Sequence, residues 1–128
     1  MRDGVSTVFV CVTCRREGDA PAEPRQSERS GAKLYAALKA QAGDLDVVPV
    51  ECLSNCTRSC TVAVTATGKW TYVVGDLDPV LNVDDMLNFA RAHKAAADGL
   101  PAWRERPVHV RKHTIARVPP MRPLEELK

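Results

Sequence analysis

Five cysteines in two tight groups constrain this chain more than any other feature. Cys11 and Cys14 stand in "CVTC", and Cys52, Cys56 and Cys60 in "ECLSNCTRSC". An odd count argues against complete pairing into disulfides. The first residues, "MRDGVSTVFVCVTC", show no apolar core or small-residue cleavage site of the secretory type. No run approaches the roughly 18 apolar residues that a membrane span needs. A cytoplasmic protein without membrane association is therefore expected. In a reducing compartment clustered cysteines point to metal binding or redox chemistry rather than to structural bridges.

The 128 residues are one domain's worth of chain, enough to bury a modest core without disulfides. With only two Phe, two Trp and two Tyr, that core has to be built from Val, Leu and Ala. A net charge of +2 is too small for a nucleic-acid binder, but it is unevenly spread. Residues 1–98 carry 11 Lys and Arg against 13 Asp and Glu, and residues 99–128 carry 7 against 3.

"VSTVFVCVTC" is rich in β-branched residues and predicts a strand running straight into Cys11 and Cys14. Residues 18–29, with two Pro and many charges, predict a loop. Leu34, Ala37, Leu38 and Gln41 recur at helical spacing after Ser30, and Gly43 is placed to end that helix. "LDVVPV" predicts a second strand, with Pro49 suited to an edge. Strand, helix and strand make a parallel crossover. "TVAVTATGKWTYVV" predicts a hairpin turning at Thr67 and Gly68. Asn82 is placed to cap a last helix, with Asp84 and Asp85 in its first turn and Val83, Met86, Leu87, Ala90 and Lys94 along one flank, ending near Gly99. The expected fold is a small two-layer α/β domain, β-α-β-β-β-α with a four-stranded mixed sheet, over residues 1–99. A basic, Pro-rich and Arg-rich C-terminal extension over 100–128 is expected to hold little regular structure, since prolines stand at 101, 107, 119, 120 and 123.

The crossover brings Cys11 and Cys14, which follow one strand, to the same sheet end as Cys52, Cys56 and Cys60, which follow its parallel neighbour. Thiolates are soft, charged donors for iron and zinc, and short cysteine pairs let four sulfurs converge without long loops to close. A [2Fe-2S] centre takes four cysteinates, which leaves one cysteine over. Zinc, or the handling of another metal such as cobalt, is the alternative. A thiol–disulfide oxidoreductase acting through Cys11 and Cys14 is a third reading, although a redox dithiol normally opens a helix and Cys14 leads into "RREGDAPAEP".

The segment "VECLSNCTRSCTVAVTATGKWTYVVGDL" resembles the second half of the thioredoxin-like [2Fe-2S] ferredoxins. "FVCVTCR", "ECLSNCTRSC", "GKWTYVVGDLD" and "PAWRERP" are similar to a bacterial family labelled DUF1636, predicted to bind metal. The resemblance covers nearly the whole chain. It implies a thioredoxin-like fold with a [2Fe-2S] cluster held in loops at one sheet end, an electron carrier rather than an enzyme, and a redox partner protein. It also leaves a link to cobalamin biosynthesis open. A homodimer is left open as well, independently of the resemblance. Carried over by position, Cys11 matches the first ligand, Cys52 and Cys56 match the later pair, and Cys14 takes the second place at a shorter spacing than those ferredoxins usually have. Cys60 stands as an alternative ligand or a spare thiol.

His109 and His113 in "HVRKH" have a spacing that zinc ligands use, but a basic tail makes solvated side chains the simpler expectation. His93 is expected on the surface of the last helix. Arg104, Arg106, Arg111 and Arg117, with Trp103 among them, suit either docking of an acidic partner or an anionic cofactor, or a solvated wrap over the domain.

Overall fold

The computed structural model describes residues 5–13, 29–54 and 56–120. Its strands are β1 (Thr7–Cys11), β2 (Asp46–Val50), β3 (Val62–Thr65), β4 (Thr71–Val74) and β5 (Thr114–Val118). Its helices are α1 (Ser30–Ala40), α2 (Val83–Ala95) and α3 (Val108–His113). The strands form one sheet in the order β2-β1-β3-β4-β5, in which β1 and β2 are parallel and the other neighbours antiparallel. The crossover through α1 and the hairpin of β3 and β4 thus stand as expected, and Pro49 lies on the edge strand β2, where a missing N–H costs no ladder bond.

Period-two alternation builds the core. Val47, Val8, Val64 and Tyr72 lie abreast across four strands, and Val10, Val62 and Val74 form the next row. All seven are buried. Each of the six valines contributes roughly 1.5–3 kcal/mol by leaving water. Leu34 and Leu38 of α1 and Met86, Phe89 and Ala90 of α2 join the same core. The Phe89 ring meets Tyr72 edge-on at 4.9 Å.

The sheet has five strands where four were expected. The fifth comes from the C-terminal extension, which also contributes α3, so the expectation of little regular structure there is corrected for residues 108–118. β5 pairs with β4, and Val110 of α3 is fully buried in the core. Two further bonds fasten α3 to the loop after β4: the Gly75 N–H donates to His113 O at 3.0 Å, and His109 Nε2 donates to Gly75 O at 2.9 Å.

His93, expected on the surface, is fully buried. Its Nε2 lies 2.7 Å from Trp70 O and its Nδ1 2.7 Å from Ser6 Oγ. A carbonyl only accepts, so the proton sits on Nε2 and Nδ1 accepts from the Ser6 hydroxyl. Both ring nitrogens of the neutral imidazole are satisfied, and burial holds the His93 pKa below its ordinary value, outweighing the Trp70 bond, with the nearby Lys69 charge acting in the same direction as burial. Lys69 Nζ in turn donates to the carbonyls of Lys94 at 2.6 Å and His93 at 3.3 Å, a cation placed at the negative end of α2.

Asn82 stands at the N-cap of α2, but its side chain does not cap the helix. Its Oδ1 accepts from the Asp78 N–H at 2.7 Å and its Nδ2 donates to Asp85 at 3.1 Å. Among the described residues no helix is long and apolar enough to cross a membrane.

Candidate functional site

The C-terminal ends of β1 and β2 lie side by side, with Cys11 opposite Val50. On the other flank of β1 the Cys11 N–H donates to Thr61 O at 3.1 Å. Three chain segments therefore meet at one end of the sheet: the one leaving Cys11, the one running from Glu51 into Cys52, and the one arriving through Cys60. Parallel pairing dictates the first two, and antiparallel entry of β3 dictates the third.

The described cysteines have distinct settings. Cys11 is buried, and its Sγ is 3.6 Å from Glu51 O and 3.7 Å from Thr13 Oγ1, which itself donates to Glu51 O. Cys52 is exposed and accepts a hydrogen bond on its Sγ from the Ser54 N–H at 3.2 Å. Ser54 adopts φ 57°, a left-handed conformation unusual for a residue with a Cβ. Cys56 opens a short 3-10 turn, Cys56–Arg58. Cys60 is fully buried, and its N–H and C=O both pair with Leu77 at 3.1 Å. Cys14 lies outside the described residues, as do residues 18–28 of the loop expected over 18–29 and Asn55. Among the described residues no three metal-ligating side chains converge on one point.

Behind the cysteine segment stands a cluster of charges that sequence reasoning did not assemble. Asp76 Oδ2 accepts from Arg58 Nε at 2.9 Å, from a terminal Arg58 nitrogen at 2.8 Å and from His113 Nδ1 at 3.0 Å. The Asp76 N–H donates to Arg58 O at 2.7 Å. Burial pulls the Asp76 carboxyl upward, but the hydrogen bonds from Arg58 and His113 and their charges outweigh it and hold the group below the usual carboxylate range. The His109 and His113 rings lie 4.4 Å apart. The two histidines of "HVRKH", expected to be solvated, instead hold α3 against Gly75 and Asp76. The only signal in the sequence was their four-residue spacing, which placed them on one side of a helical turn without naming their partners.

No curated protein matches the chain in sequence. Solved structures from Aquifex aeolicus share the fold. A thioredoxin-like [2Fe-2S] ferredoxin aligns over 92% of this chain and 98% of its own, with 19% identity and a TM-score of 0.56. The wild-type form of such a ferredoxin at 1.5 Å resolution aligns over 88% and 97%, with 20% identity and a TM-score of 0.53. The fold is thus a thioredoxin-like one, as the resemblance implied. The family model described as a protein of unknown function, DUF1636, matches residues 8–120, and the chain belongs to that family.

Proposed function

We propose that this chain is a small iron–sulfur protein that passes single electrons to a partner protein in the cytoplasm, with Cys11, Cys14, Cys52 and Cys56 as the ligands of a [2Fe-2S] cluster. One observation carries the reading: the segments bearing Cys11 and Cys52 leave adjacent parallel strands at the same sheet end. The fold shared with the Aquifex aeolicus ferredoxins supports it.

The donor set suits the group. All four ligands are sulfurs, and the Cys52 sulfur already receives a backbone N–H, a contact that favours negative charge on a thiolate. A [2Fe-2S] cluster bound there supplies a one-electron couple. The chain's own residues do the rest. β1 and β2 set the spacing of the two ligand segments through their ladder, and the Ser54 N–H stabilises charge on Cys52. The Asp76 cluster holds the turn at Cys56–Arg58 against the loop after β4. Cys60 lies inside the core as a spare thiol or an alternative ligand.

Anaerobic purification followed by visible absorption and assays of iron, sulfide and zinc on one sample tests the proposal. Iron and sulfide in equal amounts, with broad visible bands that bleach on reduction, are the expected result, and single Cys→Ser replacements at the four ligands abolish those bands. A colourless protein with one zinc per chain would replace the proposal with a metal-handling module. A colourless protein that takes up neither metal would leave the Cys11 and Cys14 dithiol. Loss of the bands with Cys60→Ser but not with Cys14→Ser would change the ligand set.

A further inference from the structure

Between residues 100 and 120 the chain carries five Lys and Arg against one acid, Glu105. In the same stretch Trp103 is 61% exposed. An indole left in water forgoes the free energy of burial, and an isolated one would also be free to rotate. Trp103 is braced instead. The Arg106 guanidinium lies 5.6 Å from its ring centroid and that of Arg111 5.5 Å. Each arginine is itself anchored, Arg106 Nε to Pro101 O and Arg111 Nε to Trp103 O, both at 2.9 Å.

Anchoring through Nε leaves the terminal nitrogens of both forks to act as donors. Among the described residues no ion pair engages Arg104, Arg106, Arg111, Lys112 or Arg117; the ion pairs present use Arg58, Lys94 and His113. Val108, 58% exposed, precedes Arg111 by three residues on α3 and so lies on the same side of it. The surface thus joins an ordered indole, a small apolar rim and cationic forks with no acidic partner of their own.

We infer that the Trp103–Arg106–Arg111 surface is a docking site for an acidic segment of a partner protein, whose carboxylates pair with the guanidinium forks while an apolar side chain covers Trp103. Arginine forks match carboxylates in a bidentate geometry, and Trp and Arg are the residue types that most often dominate binding energy at interfaces. Because both arginines are already held, little rotamer freedom remains to be lost on docking. A nucleic acid is a poorer fit. Among the described residues Trp103 is the one aromatic in the set of large exposed hydrophobic side chains, whereas single strands are bound by several stacking platforms along a basic groove. Arg111 shares α3 with His109 and His113, which grip the loop beside Cys60, so an occupant of this surface sits one helix away from the cysteine end. Docking does not depend on what the cysteines hold.

The test is fluorescence anisotropy of a labelled peptide of alternating Glu and Leu, titrated with the full chain. Saturable binding is expected, weakening about tenfold or more as salt rises from about 0.05 to 0.5 M. Trp103→Ala and the pair R106Q and R111Q each weaken it at least about tenfold. R111K, which keeps the charge and loses the fork, falls between. R104E, at an exposed position, weakens binding as well and keeps the test decisive if the double variant melts early. Absence of saturable binding, binding that all these variants retain, or tighter binding of a single-stranded DNA lost in the same variants would overturn the assignment.

Discussion

His93 shows how a polar residue can complete an apolar stripe. It stands three residues after Ala90 and four after Phe89, both buried, so its place on α2 was inward by spacing alone, and its polarity argued the other way. The conflict resolves because Ser6 and Trp70 O, distant in sequence, satisfy both ring nitrogens. A consequence for pH follows. The folded-state pKa is depressed, so the unfolded chain binds the extra proton, and the stabilisation is complete above the unfolded value of about 6.5 and is lost as pH falls through the folded one. The urea midpoint should therefore drop between pH 8 and pH 5, and His93→Gln, less stable at pH 8, should show a flatter profile over that window. Gly99 lies close to the same imidazole. It adopts φ 77°, and a Cβ there would stand 2.7 Å from Lys69 Cβ and 2.9 Å from His93 Nε2. Strain and overlap act together, so Gly99→Ala should cost about 2–4 kcal/mol in a urea or thermal melt.

Among the elements, those whose burial repeats at a regular period were legible beforehand. Leu34 and Leu38 mark α1, the alternating valines mark β1 and β3, and Gly68, at φ 74°, marks the hairpin. β5 lacked such a mark: Ala116, Arg117 and Val118 are exposed, Thr114 and Ile115 are half-buried, and prolines bracket the segment, so no alternation was there to read. The Asp76 cluster was illegible for a different reason, because its three side chains come from three elements and touch only after folding. The convergence of the cysteine segments needed only the direction of β2, which the length of the α1 crossover dictates. Asp76→Asn tests what the cluster does. Asn tolerates the left-handed φ of 54° at this position, so the exchange removes charge without adding strain. Partial exposure of Arg58, Asp76 and His113 screens the pairing, and a global loss of only about 1 kcal/mol is expected at pH 7. The local effect should be larger: hydrogen exchange at the Cys60 and Leu77 amides, which bond each other's carbonyls, should accelerate while exchange in β1 stays slow. In the unmodified chain this contribution is present above pH of about 4 and fades as acid titrates Asp76 through its lowered pKa.

The change in composition near residue 99 and the layout of the folded chain run along different lines. Composition separates an acidic-leaning body from a basic tail, yet that tail supplies the strand that covers the edge of β4 and a fully buried Val110. It also supplies His113, through which Asp76 is tied to α3. Cutting the chain after Gly99 would expose the β4 backbone along Thr71–Val74, open the core at Val110 and leave Asp76 with Arg58 alone. An uncovered edge strand invites pairing with other chains, so the shortened protein is expected to aggregate or to lose its near-UV dichroism while keeping helical signal. Val110→Ala in the full chain isolates the packing part, with an expected cost of roughly 1–3 kcal/mol. Ala116→Pro isolates the edge, since it removes the N–H of the residue paired with Val73. Both point variants should lower the thermal midpoint of a chain that still melts in one step, whereas the cut chain should show no cooperative transition. If the cut chain instead melts sharply near the full-length midpoint, residues 1–99 fold by themselves, and the fifth strand serves the docking surface alone.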